Sequence, residues 1–213
     1  MVSIAKAFDL LGVTEAYCIS VGKEFTRMVQ TIKYLGPSIL VSVPSIIHQY
    51  ISAVHNSFKS TDYFPFSKVI YIGEAMQTST RQHLAQSGIE TYGYYGSSET
   101  SALGIECAAH DGIHIIQTRN IIELLPLNDN SNIGEAIVTT LTQFWHPLLR
   151  YRLGDHIQPI TGKCSCGVPD PKIKVIGKPH ELISILGSKI SYQSLKTAIY
   201  SYGEESGRLQ VII

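Results

Sequence analysis

Residues 91–106 read TYGYYGSSETSALGIE, and the fold depends on what stands at either end of this run. Glycine is too frequent here for a helix, where each one costs about 1 kcal/mol relative to alanine. The residues IETYGYYG (89–96) have the composition of a strand, which would deliver YYGSSE (94–99) to its carboxyl end. Upstream, KVIYIG (68–73) and SILVSV (38–43) read as buried strands, and AYCISV (16–21) as a short apolar one. Between them lie helical patterns. Residues 1–11 read as a first helix ending at Gly12. KEFTRMVQTIKYLG (23–36) spaces Phe25, Met28, Val29 and Ile32 along one face and stops at Gly36–Pro37. PSIIHQYISAVHNSF (44–58) opens on proline, and MQTSTRQHLAQSG (76–88) is a polar helix closed by Gly88. Strands alternating with helices of these lengths predict an α/β domain with a mostly parallel sheet flanked by helices.

Downstream of residue 105 the texture changes. IHIIQTRNIIELLPL (113–127), GEAIVTTLTQFW (134–145), LLRYRLGD (148–155) and IKVIGKP (173–179) are short β-patterned runs separated by turn residues. They predict a small antiparallel β subdomain. From Lys178 the pattern mixes again: ELISILGSKIS (181–191) is strand-like, YQSLKTAIYSYG (192–203) is helical, and RLQVII (208–213) ends the sequence on an apolar strand that reads as a domain cut short. The expected division is therefore 1–105 as an α/β subdomain, 106–177 as a β-rich subdomain, and 178–213 as a hinge with the start of a mobile α+β domain. Net charge is zero with no basic run, so a nucleic-acid surface is not expected. No apolar stretch is long enough to span a bilayer and no secretory leader is legible, so the expected location is cytoplasmic.

In an open α/β sheet, ligands sit beyond the carboxyl ends of the strands. YYGSSE stands there, with glycine to let backbone approach a ligand, hydroxyls for a phosphate, a carboxylate for Mg²⁺ and a flat tyrosine face for a base. A tyrosine-rich surface turn with an ordinary glutamate reads equally well from these residues alone. PLLRYRLGDHI (147–157) adds Asp155 after a strand with two arginines, where it suits either a ribose diol or a surface Arg–Asp pair. Four cysteines in a reducing compartment are thiols or metal ligands before they are disulfides. Cys164 and Cys166 form a C-x-C knuckle. Cys107 has His110 and His114 nearby, and a cysteine and a histidine from there would complete a tetrahedral zinc site; three reduced thiols are the alternative. Cys18, in an apolar run, is expected to be a core thiol.

These motifs, in this order, resemble the adenylate-forming acyl-CoA ligases, and most of all the phenylacetate–CoA ligase type. The resemblance rests on YYGSSE, GEAIVTTLTQFWHPLLRYRLGD (134–155) and CSCGVPDPKIKVIGKPHELISILGSKIS (164–191), with LGVTEAYCISVGKEFTRMVQTIKYLGPSILVSVPS (11–45) and YIGEAM (71–76) in step upstream, and it covers roughly residues 7–200. It implies activation of a small carboxylic acid with ATP to an acyl-adenylate, then transfer to coenzyme A. A protein thiol as acceptor, and a non-catalytic module that binds a nucleotide or a partner, are the alternatives. By position, it implies that Glu99 holds Mg²⁺, that Ser98 touches a phosphate, and that Tyr95 and the backbone of Gly93 and Gly96 flank adenine. Gly73 and Glu74 would line the adenine and acyl pocket, Asp155 would bind the ribose, and Lys178 would stand at the hinge where the family usually has arginine. His180 takes the place of the hinge aspartate, or is an exposed loop histidine. The branch's spacing selects His114 over His110, giving Cys107, His114, Cys164 and Cys166 as ligands of a structural zinc. The family's phosphate loop and distal catalytic lysine have no counterpart in these residues. The expectation is an incomplete catalytic unit, inactive alone, with a separate chain carrying the loop, or a second copy in a homodimer, as protein partners.

Overall fold

The computed structural model describes residues 15–20, 25–58, 63–129, 131–178, 182–185, 188–191 and 195. The expected first helix, the helix at 192–203, the final strand and His180 lie outside the described residues.

Helix α1 (Phe25–Leu35) buries Met28, Val29 and Ile32, the face its apolar spacing predicts. It closes at Gly36, whose φ of 57° is a left-handed cap and whose N–H reaches Ile32 O at 3.0 Å. Strand β1 (Ile39–Ser42) leads into α2 (Pro44–Ala53), which has proline in its first turn, and a π-helical turn continues it to Phe58. Strand β2 (Lys68–Ile72), helix α3 (Thr78–Gln86) and strand β3 (Glu90–Ser97) follow as the pattern predicts. Residues 15–20 form no strand, and Cys18 is exposed rather than a core thiol. An apolar run this short has no partner edge to complete its hydrogen bonds among the described residues.

Next come β4 (Ser101–Glu106), β5 (Ile113–Ile115), β6 (Asn120–Pro126), β7 (Gly134–Thr140), β8 (Tyr151–Ile160) and β9 (Lys172–Gly177). All nine strands join one sheet in the order β1-β2-β3-β4-β5-β9-β8-β7-β6. Only β1–β2 and β2–β3 pair in parallel; every later neighbour is antiparallel. The expectation of a mostly parallel sheet is thereby corrected to a mixed, mostly antiparallel one with few helices. The reason is local: Ser98–Thr100 is the whole link between β3 and β4, and three residues can only turn the chain back. Strands β10 (Leu182–Ile185) and β11 (Ser188–Ser191) form a separate antiparallel hairpin.

Two buried clusters support the sheet. One gathers Val29, Ile47, Tyr50, Val69 and Leu84 between the helices and the parallel strands. The other gathers Tyr95, Leu103, Val138, Ile157 and Ile173 on the antiparallel part. Tyr95 therefore stands where the two regimes meet. No described helix is long and apolar enough to cross a membrane.

Candidate functional site

The carboxyl ends of β1, β2 and β3 lie side by side, because their registers run Ser42 beside Tyr71 and Ile72 beside Tyr94. Gly73 and Glu74 follow the end of β2, and Gly96 is the penultimate residue of β3. Gly73 takes φ 79°, a turn conformation that favours glycine. The Glu74 carboxylate accepts from the Ser45 N–H at 3.1 Å and from the Ser45 hydroxyl at 2.9 Å, bracing the start of α2. Gly96 sits where a Cβ would lie 2.3 Å from Ser101 O, so only glycine permits the close return of β4.

Beyond Gly96 the turn presents its chemistry. Ser98 and Glu99 are exposed, while Thr100 is buried. The Ser97 hydroxyl pairs with that of Thr100 at 3.0 Å and accepts the Thr100 N–H at 3.2 Å. The Glu99 carboxyl is held below its ordinary range, first by the Ser97 hydroxyl, then by its own backbone N–H and by the positive charge of Lys178. Tyr95 Oη donates to Asp155 Oδ2 at 3.1 Å, a contact between residues sixty apart in sequence. Burial above all, and the Asp155 charge next, push the Tyr95 phenol well up, so it stays a neutral donor. Among the described residues, Arg150, just before β8, pairs with Glu123 at 3.2 Å, and Arg152 of β8 pairs with Glu135 rather than with Asp155. The structure thus brings Tyr95, Asp155, Gly96, Ser98, Glu99 and Lys178 to one end of the sheet.

Gly93 is placed differently. It lies mid-strand, its N–H donates to Glu106 Oε2 at 2.8 Å, and a Cβ there would meet Tyr71 Oη at 2.7 Å. Glu106 is the centre of a buried cluster that sequence reasoning missed. Arg81 grips both its oxygens, at 2.9 and 2.6 Å, and also donates to Tyr71 Oη at 2.8 Å; Tyr71 Oη donates to Glu106 Oε2 at 3.3 Å, and His110 Nδ1 lies 3.4 Å from Glu106 Oε1. Burial raises the Glu106 pKa, but the Arg81 and Gly93 donors outweigh it and hold the carboxyl below its ordinary range. Burial chiefly, with Glu106 next, pushes the Tyr71 phenol up to about 12. The available signal was an acid at an inward position of an apolar strand, SALGIE (101–106), which requires a cationic partner.

At the far end of β4 the thiols converge. One ligand atom from each of Cys107, His114, Cys164 and Cys166 lies within 4.8 Å of the others. Cys107 Sγ is 3.5 Å from Cys164 Sγ, and Cys166 Sγ is 3.4 Å from His114 Nε2. His114 Nδ1 faces Asp170 O at 3.3 Å, which leaves Nε2 directed at the thiols. His110 stands apart, beside Glu106 and Tyr92. Three thiols and an imidazole are a donor set that suits zinc. The Cys164 thiol is drawn down to about 6, first by the Cys166 backbone N–H and then by its thiol and imidazole neighbours.

A mixed sheet thus carries a glycine-pinned acidic turn at its parallel strand ends, beside a tyrosine–aspartate pair. The chain's homologues and structural neighbours are acyl-CoA and other adenylate-forming ligases, in line with the resemblance carried by its motifs. It is 33% identical over 125 residues to the indoleacetate–lysine synthetase of Pseudomonas savastanoi, covering 55% of this chain and 29% of that protein. It is 22% identical over 198 residues to the phenylacetate–coenzyme A ligase of Thermus thermophilus, covering 88% of this chain and 44% of that protein. The fold matches a 2-hydroxyisobutyryl-CoA ligase crystallised in its postadenylation state with 2-HIB-AMP, at a TM-score of 0.76, 16% identity, 85% of this chain and 41% of the other. The chain spans less than half the length of these proteins. No family model matches it.

Proposed function

We propose that these residues form the nucleotide-facing part of a ligase that activates a carboxylic acid with ATP and transfers the acyl group to coenzyme A, after the phenylacetate–CoA ligase pattern. The acid's carboxylate attacks the α-phosphorus and pyrophosphate leaves; a thiolate then attacks the acyl carbon and AMP leaves. The observation that carries this reading is the Tyr95–Asp155 contact of 3.1 Å beside the exposed Glu99 turn. It joins the Asp155 carboxylate of β8 to the aromatic ring of Tyr95 near the end of parallel-paired β3, beside the Glu99 carboxylate, and such strand ends are where α/β sheets bind ligands. Asp155 would accept from the ribose hydroxyls, Tyr95 and the backbone at Gly96 would flank adenine, and Ser98 would donate to a phosphate. Lys178 would supply charge at the hinge. Glu99 would hold a Mg²⁺ ion, which would supply charge neutralisation at the phosphates when bound. Gly73 would line the adenine and acyl pocket, with Glu74 shaping it through Ser45. Turnover is proposed only for this chain together with whatever supplies a phosphate loop and a distal lysine.

The indoleacetate–lysine synthetase relative favours a second reading, in which the acyl-adenylate is the same and an amine takes the place of the thiol. Both readings require the adenylate site. Asp155→Ala is expected to weaken AMP binding by about 1.5–3 kcal/mol, the range for hydrogen bonds to a charged group. Calorimetry on the folded variant checks it, and equal binding by wild type and variant would remove Asp155 from the site.

We also propose that Cys107, His114, Cys164 and Cys166 hold one structural zinc. Four protein ligands leave no coordination position for a reacting water, so its contribution is to stability. The division into 1–105, 106–177 and 178–213 is proposed to survive as a division of labour: nucleotide site, zinc-stapled sheet and hinge. One sheet nonetheless runs through the first boundary.

A further inference from the structure

Beside Thr100, at the end of the acidic turn, lies a cavity of about 340 Å³ lined by Thr100, Arg119, Thr142, Gln143, Trp145 and His146 among others. No carboxylate lines it. Arg81, Arg150 and Arg152 each pair with a glutamate, whereas Arg119, among the described residues, has no acidic partner and lies near the phenol of Tyr94. An unneutralised guanidinium with threonine hydroxyls and an imidazole around it is a donor set for a phosphate, which arginine can grip with two parallel hydrogen bonds. The rim is aromatic. Trp145 is 101% exposed and Phe144 is 84% exposed, two large rings with no cover among the described residues. A flat heteroaromatic base would cover such a surface.

We propose that this cavity is a second organophosphate subsite, taking the phosphate of a nucleotide-bearing ligand on Arg119 and stacking its base on Trp145. None of Tyr95, Glu99 and Asp155 lines it, and its coenzyme A arm rests on the reading above. Gln143 Nε2 donates to Glu99 O at 2.9 Å, so occupancy of the cavity touches the acidic turn through one hydrogen bond. AMP and coenzyme A share the required chemistry, and the experiment separates them.

Trp145 is the single tryptophan of the sequence, so its fluorescence reports on the rim directly. The wild-type chain is titrated with coenzyme A, with AMP and with inorganic pyrophosphate, following emission. At least one nucleotide ligand is expected to quench or shift Trp145, and pyrophosphate, which lacks a base, should bind more weakly. Arg119→Ala, at an exposed position, should keep its thermal melt and weaken the response about tenfold to a hundredfold. Arg119→Lys keeps the charge but not the fork and should fall between them. Asp155→Ala should leave the Trp145 response to the preferred ligand unchanged. The inference is overturned by no emission change with any ligand, or by equal affinity in folded Arg119→Ala. It is equally overturned by a response that Asp155→Ala abolishes, which would assign the signal to the other subsite. Loss of AMP binding by calorimetry in Asp155→Ala, with Trp145 silent throughout, would retain the adenylate site and reject this one.

Discussion

Protein purified without added metal is expected to carry about one zinc per chain, and Cys164→Ser to lose it and melt about 10 °C lower. The magnitude follows from what the four ligands tie together. Cys107 and Cys164 are 57 residues apart, and in the chain-entropy model a cross-link closing a loop of that length is worth about 4 kcal/mol. For a chain of this size each kcal/mol moves the melting point by about 2–4 °C. Cys18→Ser should change neither quantity, since Cys18 is exposed and outside the cluster. Elemental analysis and thermal melts of the three proteins decide it. Zinc-free native protein whose thiols all react freely with a thiol reagent would reduce the cluster to neighbouring cysteines.

Arg81→Leu is expected to destabilise the fold by about 3 kcal/mol. The Glu106 side chain is only 6% exposed, and Arg81 supplies donors to both its oxygens. Removing the cation strands a buried carboxylate, which typically costs about 3–5 kcal/mol, and the lower end applies because water reaches Arg81. Replacing Glu106 by Gln in the same protein should recover part of the loss, because the stranded charge is gone while an acceptor for the Gly93 N–H remains. Chemical denaturation of the two single variants and the double variant measures the coupling; additive losses would show that the pair does not interact. The pH dependence has a definite sign. Glu106 has a depressed folded pKa, so its contribution is fully present above the ordinary carboxyl range. It is lost as pH falls below that range and through the folded value. Arg81→Leu should remove this acid sensitivity.

The motifs were legible where the chemistry depends on residue type in a short span. The helix faces at Met28, Val29 and Ile32, the proline opening at Pro44 and the glycine stops at Gly36 and Gly88 were readable because each is set by local sterics. Strand pairing was not, since alternating apolar residues look alike in parallel and antiparallel sheets. The one local clue was the three-residue link at Ser98–Thr100, too short for a crossover. The Tyr95–Asp155 contact and the Cys107–Cys164 approach join distant segments, and motif order rather than any local pattern suggested them. The Glu106–Arg81–Tyr71 cluster went unread because its members come from three elements and none has a spacing of its own. Cys18 is exposed because its apolar run, although strand-like in composition, has no pairing edge among the described residues.

The proposed function requires the sheet end between Tyr95, Glu99 and Asp155 to hold an acid and AMP joined as one molecule. The direct measurement is calorimetric titration of the folded wild-type chain with non-hydrolysable acyl-sulfamoyl adenosines of a small panel of aromatic and aliphatic acids, beside AMP and the free acids. At least one analogue is expected to bind one to one, roughly a hundredfold more tightly than AMP or its acid, because it presents both halves of the intermediate at once. If no analogue binds better than AMP, or if none binds to protein shown to be folded, the site is not an acyl-adenylate site.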